Sequence, residues 1–299
     1  MRRREFLAGG SAMGLAAVLP TIPGNNEKKS FNLTYAPHFG LFTAHAGEDL
    51  IDQLNFIAGE GFAAVEDNDM MERPVSEQEK IAAAMSRLNL KMGVFVAYAE
   101  FRTQTFVRAP EIIKENLQER MHKAVEVAKR VNAQWCTVVP GTYDPGLEWG
   151  YQTANVIENL KWCAEICEPA GLTMVLEPLN PWHDHPGMFL SRIPQAFQIC
   201  RAVNSPACKI LNDLYHQQIT EGNLIPNIDL AWSEINYFQV GDNPGRNEPT
   251  TGEINFLNIF KHLHSKGYSG IIGMEHGKSL DGLQGENAVL AAYREVDSF

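Results

Sequence analysis

The chain has little basic charge, few cysteines and no glycine-rich phosphate turn, and each shortage removes a class of function. Lys and Arg number 25 against 36 Asp and Glu, a formal net charge of -11. A surface of that sign repels phosphate backbones and anionic lipid, which argues against nucleic acid and membrane surfaces as partners. The five cysteines, Cys136, Cys163, Cys167, Cys200 and Cys208, include no Cys-x-x-Cys pair. Their odd number, scattered spacing and apolar surroundings speak against a disulfide framework and for core positions. No Gly-x-Gly-x-x-Gly turn follows the first strand pattern, so a dinucleotide fold has no support. There is no repeat, low-complexity tract or second domain, and no segment beyond the N-terminus reads as transmembrane.

What is present is core material. With 299 residues, 44% of them hydrophobic, the chain suffices for two ordinary domains or one large α/β barrel of about 250 residues. The first residues read as an address label. Arg2, Arg3 and Arg4 precede Glu5-Phe6-Leu7 and an uncharged run from Ala8 to Pro23. A basic head before a short apolar stretch is a secretory pattern, and paired arginines followed by Phe-Leu resemble a twin-arginine export signal. A basic first helix of the domain is the competing reading. The expectation is a signal and linker over residues 1–30, a barrel over residues 31–299, and export to the periplasm. Twin-arginine export carries folded proteins, which suits the lack of disulfides.

After the label, short β-type runs alternate with longer helical patterns. Strands are predicted at Leu33–Ala36, Ala63–Glu66, Met92–Ala97, Trp135–Val139, Thr173–Glu177, Lys209–Asp213, Tyr237–Val240 and Gly270–Glu275. Helices are predicted at Asp49–Glu60, Ser76–Leu88, Pro110–Val131, Thr153–Ala170, Ile193–Val203, Asn255–Ser265 and Gly285–Val296. Ser76 with Glu79 reads as a capping box. Gly61, Asn132, Gly171, Asn204 and Gly267 stand where helices should stop. Crossover helices return each strand to the same edge, so the sheet is parallel, and eight such units can close into a (β/α)8 TIM barrel, an α/β fold.

The chemistry lies where polar residues end the later strands. Thr-Met-Val-Leu runs into Glu177-Pro178-Leu179-Asn180. Lys-Ile-Leu-Asn runs into Asp213, with His216 three residues on. Tyr-Phe runs into Gln239, and Ile-Ile-Gly-Met into Glu275-His276. The spacings are 36, 26 and 36 residues (213−177, 239−213, 275−239). One barrel unit averages about 31 residues. The four groups recur with the barrel's own period and so face one mouth. Any one of them alone could be a helix cap or a surface ion pair; four in phase are not explained that way. Three converging carboxylates repel one another and are costly to bury, and a divalent cation relieves both penalties. Two Glu, one Asp and an amide oxygen suit Mg2+ or Mn2+ rather than a zinc-thiolate centre.

These segments carry a resemblance. Glu177-Pro178-Leu179-Asn180, Asp213-Leu214-Tyr215-His216, the long run from Gln239 through Arg246 to Asn255, and Gly273-Met274-Glu275 look like the hydroxypyruvate isomerase group. That group lies within the xylose isomerase-like TIM barrels, beside ketose 3-epimerases and, more distantly, endonuclease IV. The resemblance covers nearly everything after about residue 31, and Gln239–Asn255 is its most specific part. It implies one Mg2+ or Mn2+ held by Glu177, Asp213, Gln239 and Glu275. The ketose epimerases usually have His at the third position, so Gln239 is nearer to the hydroxypyruvate isomerase pattern. It also implies His216 and Arg246 as substrate contacts, and members are often dimers or tetramers, so a homo-oligomer is compatible.

The expected reaction moves a proton next to a carbonyl in a small sugar or hydroxy-keto acid through an enediolate, which a cation on the two oxygens stabilises. Glu177 and Glu275, on non-adjacent strands, are the candidate acid/base pair as well as ligands. Around them, His183-Asp184-His185 follows the fifth strand and could line the pocket or ligate metal. His38 and Glu66 end the first two strands and could line the mouth. Trp182, Tyr98, Phe101 and Trp149 read as loop aromatics that stack on a sugar or pack at a lid or subunit contact. His262 and His264 read as surface residues of a helix. Two other readings remain: an exported barrel that binds sugar without turnover, and a phosphodiesterase of the endonuclease IV type. The latter needs several zinc ions on many His and a basic face.

Overall fold

A computed structural model describes residues 30–299; the expected signal segment lies outside the described residues. Nine strands follow in order: β1 Thr34–Pro37, β2 Ala64–Val65, β3 Lys91–Met92, β4 Val96–Glu100, β5 Trp135–Pro140, β6 Thr173–Leu176, β7 Cys208–Asp213, β8 Ile235–Gln239 and β9 Ile271–Met274. All pair in parallel. One sheet runs β1-β9-β8-β7-β6-β5-β4, and β2 pairs with β3. The gap is closed by backbone bonds from Glu66 N–H to Pro37 O (3.0 Å) and from Val96 N–H to Asn68 O (3.3 Å). β3 and β4 are two halves of a single barrel strand interrupted at Gly93–Phe95, so eight strand positions form a (β/α)8 barrel.

The interruption has a steric reason. A Cβ at position 93 would stand 2.4 Å from the Tyr237 hydroxyl oxygen, so glycine lets that ring cross the interior. Tyr237 belongs to a cluster with Ala36, Ala64, Val94, Val175, Leu211 and Ile271, against which Trp135 packs. With Trp135 these residues come from all eight strand positions and fill the barrel interior, while a larger cluster lies between sheet and helices. Strands covered on both faces read as continuous apolar runs, which is why they are visible in the sequence.

The main helices are Leu50–Gly59, Val75–Leu88, Pro110–Val131, Trp149–Cys167, Ile193–Val203, Phe256–Ser265 and Gly282–Val296. Among the described residues, none is long and apolar enough to cross a membrane. The expected stops at Asn132, Asn204, Gly61, Gly171 and Gly267 all have positive φ, and Asn89 ends its helix in the same way. The expected capping box does not form. Pro74 occupies the cap and Val75 the first turn, leaving Ser76 inside the helix with no side-chain cap bond. Among the short helices that escaped the periodicity argument are Leu214–Thr220 and Leu224–Ala231. At seven and eight residues, they hold barely two turns, too few to display a repeat. All five cysteines are buried and free.

Candidate active site at the strand ends

Asp213 is both the last residue of β7 and the cap of the helix that follows, where its Oδ1 accepts the Tyr215 N–H at 2.9 Å. That abrupt strand-to-helix turn sets His216 one turn further on and above Asp213. Glu177 follows β6 directly. The result is a buried cluster in which one ligand-type atom each of Glu177, Asp213 and His216 lie within 4.8 Å of one another. His216 Nε2 is 3.6 Å from Asp213 Oδ2 and 3.8 Å from Glu177 Oε1.

Arg246 enters from the loop after β8. Its Nη2 donates to Asp213 Oδ2 at 3.2 Å and to Glu275 Oε2 at 3.1 Å, joining the ends of β7 and β9. Its guanidinium lies 5.0 Å from the Tyr215 ring centroid, a cation–π distance. The backbone of Arg246 is left-handed, φ +50°, a conformation unfavourable for a side chain of this size and concentrated at functional sites. Gly241 leaves room for its stem, since a Cβ there would approach Arg246 Cγ to 3.0 Å. The loop is organised by buried Asp242, whose carboxylate accepts N–H groups of Asn243 (2.9 Å), Gly252 (2.8 Å) and Ile254 (3.1 Å).

Glu275 also accepts from Asn68 Nδ2 at 3.1 Å. Below it, Gln239 is buried at the end of β8. Its Nε2 donates to Glu66 Oε1, whose other oxygen accepts from Tyr237 at 3.3 Å. Gln239 Oε1 is buried without a protein partner. Gly273 makes this arrangement fit, because a Cβ there would lie 1.7 Å from Glu66 Oε2.

The electrostatics follow from crowding like charges in a dry place. Burial and repulsion from Glu275 push the Glu66 carboxyl well above the carboxylate range, against the bonds from Gln239 and Tyr237. Burial, then Glu275 and Asp213, raise Glu177 in the same way, with Arg246 opposing. Asp213 is raised by burial despite Arg246 and two backbone N–H groups. Burial works against the Arg246 charge, but Glu275, Asp213 and Glu177 outweigh it and hold its proton more tightly than usual. This is a site short of positive charge. With carboxylates from three strands and an orphaned amide oxygen, its donor set suits a hard divalent cation.

A profile of the xylose isomerase-like TIM barrel family matches residues 54–294. The chain belongs to that family. Among its relatives, a putative hydroxypyruvate isomerase of Xenopus laevis is 33% identical over 177 residues, 58% of this chain and 64% of that protein. A 2-oxo-tetronate isomerase of Cupriavidus necator is 31% identical over 154 residues, 52% of this chain and 59% of that protein. The chain thus spans about three fifths of the length of these relatives. Among solved structures, that of an AP endonuclease, family 2, from Brucella melitensis superposes with a TM-score of 0.73 at 24% identity. It covers 85% of this chain and 96% of the other, and supports the fold.

In this xylose isomerase-like barrel Glu177, Asp213 and His216 form one cluster; Glu275 is joined to Asp213 through Arg246, and Gln239 stands beside Asp213 in strand register with its side chain bonded to Glu66. The peripheral candidates divide. His185 is half-buried, its ring 5.4 Å from that of His216 and stacked on Phe101 at 5.2 Å; burial lowers its basicity. His183 is exposed and bonded to Asp184 at 2.9 Å. His38 has both ring nitrogens against backbone oxygens, Phe39 O at 2.7 Å and His276 O at 3.1 Å, so its polar atoms are spent on the chain. Glu66 sits beneath the mouth as the partner of Gln239, not as its lining. Trp149 is not a loop residue: it opens a helix and stacks on Phe189 at 5.0 Å. A cavity of about 620 Å3 lies at the opposite end of the barrel, lined by residues such as Asn89, Lys91, Asn132, Trp135 and Ile271. It holds none of these groups.

Sequence reasoning missed Asn180, Asn68 and Asp242. Asn180 had a signal, standing in Glu-Pro-Leu-Asn just before His183-Asp184-His185. Asn68 and Asp242 act through loops whose paths no periodicity reveals.

Proposed function

We propose that this protein is a divalent-metal-dependent isomerase or epimerase that shifts a proton next to the carbonyl of a small hydroxy-keto acid or ketose. The observation that carries the reading is the mouth in which Arg246 ties Asp213 to Glu275 while Glu177 and Asp213 lie side by side. Glu177, Asp213, Gln239 and Glu275 would hold Mg2+ or Mn2+. Bound there, the cation would polarise the substrate carbonyl and stabilise enediolate charge.

The chain's own groups supply the rest. Glu177 and Glu275 stand at the ends of β6 and β9, with β7 and β8 between them, and can face a substrate from two sides. One takes the proton from carbon and the other returns it. Arg246 offers its remaining N–H groups to a carboxylate or hydroxyl. The relatives' names support a hydroxy-keto acid. The proposed export through the Arg3-Arg4 signal to the periplasm favours a sugar met outside the cytoplasm. Nucleic acid is not a proposed partner, and a homo-oligomer is compatible with the family.

The test is solvent deuterium incorporation followed by NMR, with and without Mn2+, across hydroxypyruvate, four-carbon keto acids and a panel of ketoses. Exchange into at least one substrate is expected, lost by roughly 100-fold or more in Glu275→Gln. Binding of a sugar with no exchange in any would leave a sugar-binding barrel, and the proposal would fall.

A further inference from the structure

Asn180 lies between the cluster and the loop after β6, and it is fixed from both sides. Its Oδ1 accepts the backbone N–H groups of His183 (3.0 Å) and Asp184 (3.2 Å). Backbone donors cannot reverse, so this end of the amide must be oxygen. The NH2 end then has two acceptors in reach: Asp184 Oδ2 at 2.6 Å and His216 Nδ1 at 2.7 Å. The Asn180 backbone N–H also faces His216 Nδ1, at 3.4 Å. Asp184 is anchored in turn. Burial alone would raise its carboxyl, but bonds from Asn180, His183 and Tyr215 hold it down to about 2.

The consequence concerns the far side of the ring. With two N–H donors against it, Nδ1 must present a lone pair, which leaves the single proton of a neutral imidazole on Nε2. An imidazolium is excluded by the same geometry, since it would set N–H against N–H. Nε2 is fully buried, without a hydrogen-bond partner, and faces the Glu177 and Asp213 oxygens at 3.8 and 3.6 Å. A nitrogen that carries a proton has no lone pair for a metal. Three clustered groups therefore resolve into two oxygen-bearing candidate ligands and one donor.

We propose that Asn180, backed by Asp184, is a positioning residue that locks His216 as the Nε2–H tautomer, making it a hydrogen-bond donor to the reacting substrate oxygen and barring it from the metal. A donor aimed at an oxygen gains strength as that oxygen becomes negative, so it favours the transition state over the ground state. The fixed ring needs no reorganisation when charge develops. The role in turnover rests on the proposed isomerase reading; the tautomer does not.

The experiment uses the whole barrel, labelled with 15N-histidine and read by long-range 1H–15N correlation, with His216→Gln to identify the signal. The expected spectrum has unprotonated Nδ1 and protonated Nε2. Asn180→Asp replaces the donor with an acceptor, so Nδ1 should gain a proton and kcat should fall roughly 10–100-fold with a smaller change in KM. Wild-type protein loaded with Mn2+ should show no histidine nitrogen coupling to the metal by pulsed EPR. Protonated Nδ1 in the wild type, or histidine coupling to Mn2+ that His216→Gln removes, overturns the proposal, as does an altered tautomer with unchanged kcat. The wild-type spectrum decides the tautomer even if the variant fails to fold. Absence of turnover on every substrate would overturn the reaction class while leaving the tautomer result standing.

Discussion

Arg246 is the positive charge that holds two strand-end carboxylates together, and removing it should expose how much the site depends on compensation. Arg246→Met keeps most of the stem, which packs beside Gly241 and Tyr215, and deletes the guanidinium. Breaking one side of a fully buried ion pair costs about 3–5 kcal/mol. Here Asp213 is completely buried, while the side chains of Arg246 and Glu275 are 30% and 26% exposed. Water reaching those two reduces the expected loss to about 2–3 kcal/mol, and for a domain of this size that is a drop in Tm of about 4–10 °C. The loss should depend on pH. Without Arg246, the already raised carboxyls of Asp213 and Glu177 rise further above their unfolded values of about 4. A group raised in the folded state stabilises fully below its unfolded pKa, and that contribution is lost as pH rises through the folded pKa. The gap between variant and wild type should therefore be narrow near pH 4 and widen above it. Saturating Mn2+ should close at least half of it, because the cation and the guanidinium neutralise the same oxygens. The assay is thermal denaturation of EDTA-treated protein, with and without Mn2+, from pH 4 to 8. A gap insensitive to both pH and Mn2+ would refute the account of a site short of positive charge.

Gly273→Ala would place a Cβ 1.7 Å from Glu66 Oε2 and 2.9 Å from Gln239 Cγ, so stability should fall by about 1–3 kcal/mol and Mn2+ affinity by calorimetry should weaken; an unchanged affinity would separate Gln239 from the metal. Asp242→Ala strips the acceptor from three backbone N–H groups, at about 2–4 kcal/mol in all, and should open the 243–253 loop to limited proteolysis; resistance equal to wild type would show that the loop does not need it. Replacing Arg3 and Arg4 by lysine in a bacterial host with twin-arginine export should retain the precursor in the cytoplasm, and undiminished periplasmic protein would dismiss the signal reading.

The barrel was legible because burial on both faces writes strands as apolar runs, and because left-handed stops at Asn132, Asn204 and Gly267 punctuate the helices. Where those rules break, so did the reading. The third barrel strand, expected as Met92–Ala97, is split around Gly93, where Tyr237 of a distant strand needs the space. No local pattern records a neighbour 144 residues away (237−93). The cap at Ser76 failed because Pro74 already fixes the chain for helix entry, so Val75 joins the first turn and Ser76 is carried past the position where its hydroxyl could cap.

The site shows the same division in sharper form. Residues at strand ends could be found because their interval matches one barrel unit. The bonds that orient them could not, because Asn180, Glu66 and Asn68 act on partners 36, 173 and 207 positions away (216−180, 239−66, 275−68). Yet those partners decide the chemistry. Gln239 can offer an oxygen because Glu66 takes its NH2 group, and His216 offers a proton because Asn180 takes its lone pair. A set of ligand-type residues close in space thus separates into metal-facing oxygens and a substrate-facing donor only when the second atom of each side chain is followed to its own partner. By that criterion a divalent ion held as proposed would be bound by oxygen alone. This distinguishes Gln239 from a histidine at the same place: an amide held by one end presents oxygen, whereas an imidazole would present nitrogen and shift the preference away from Mg2+ toward softer ions.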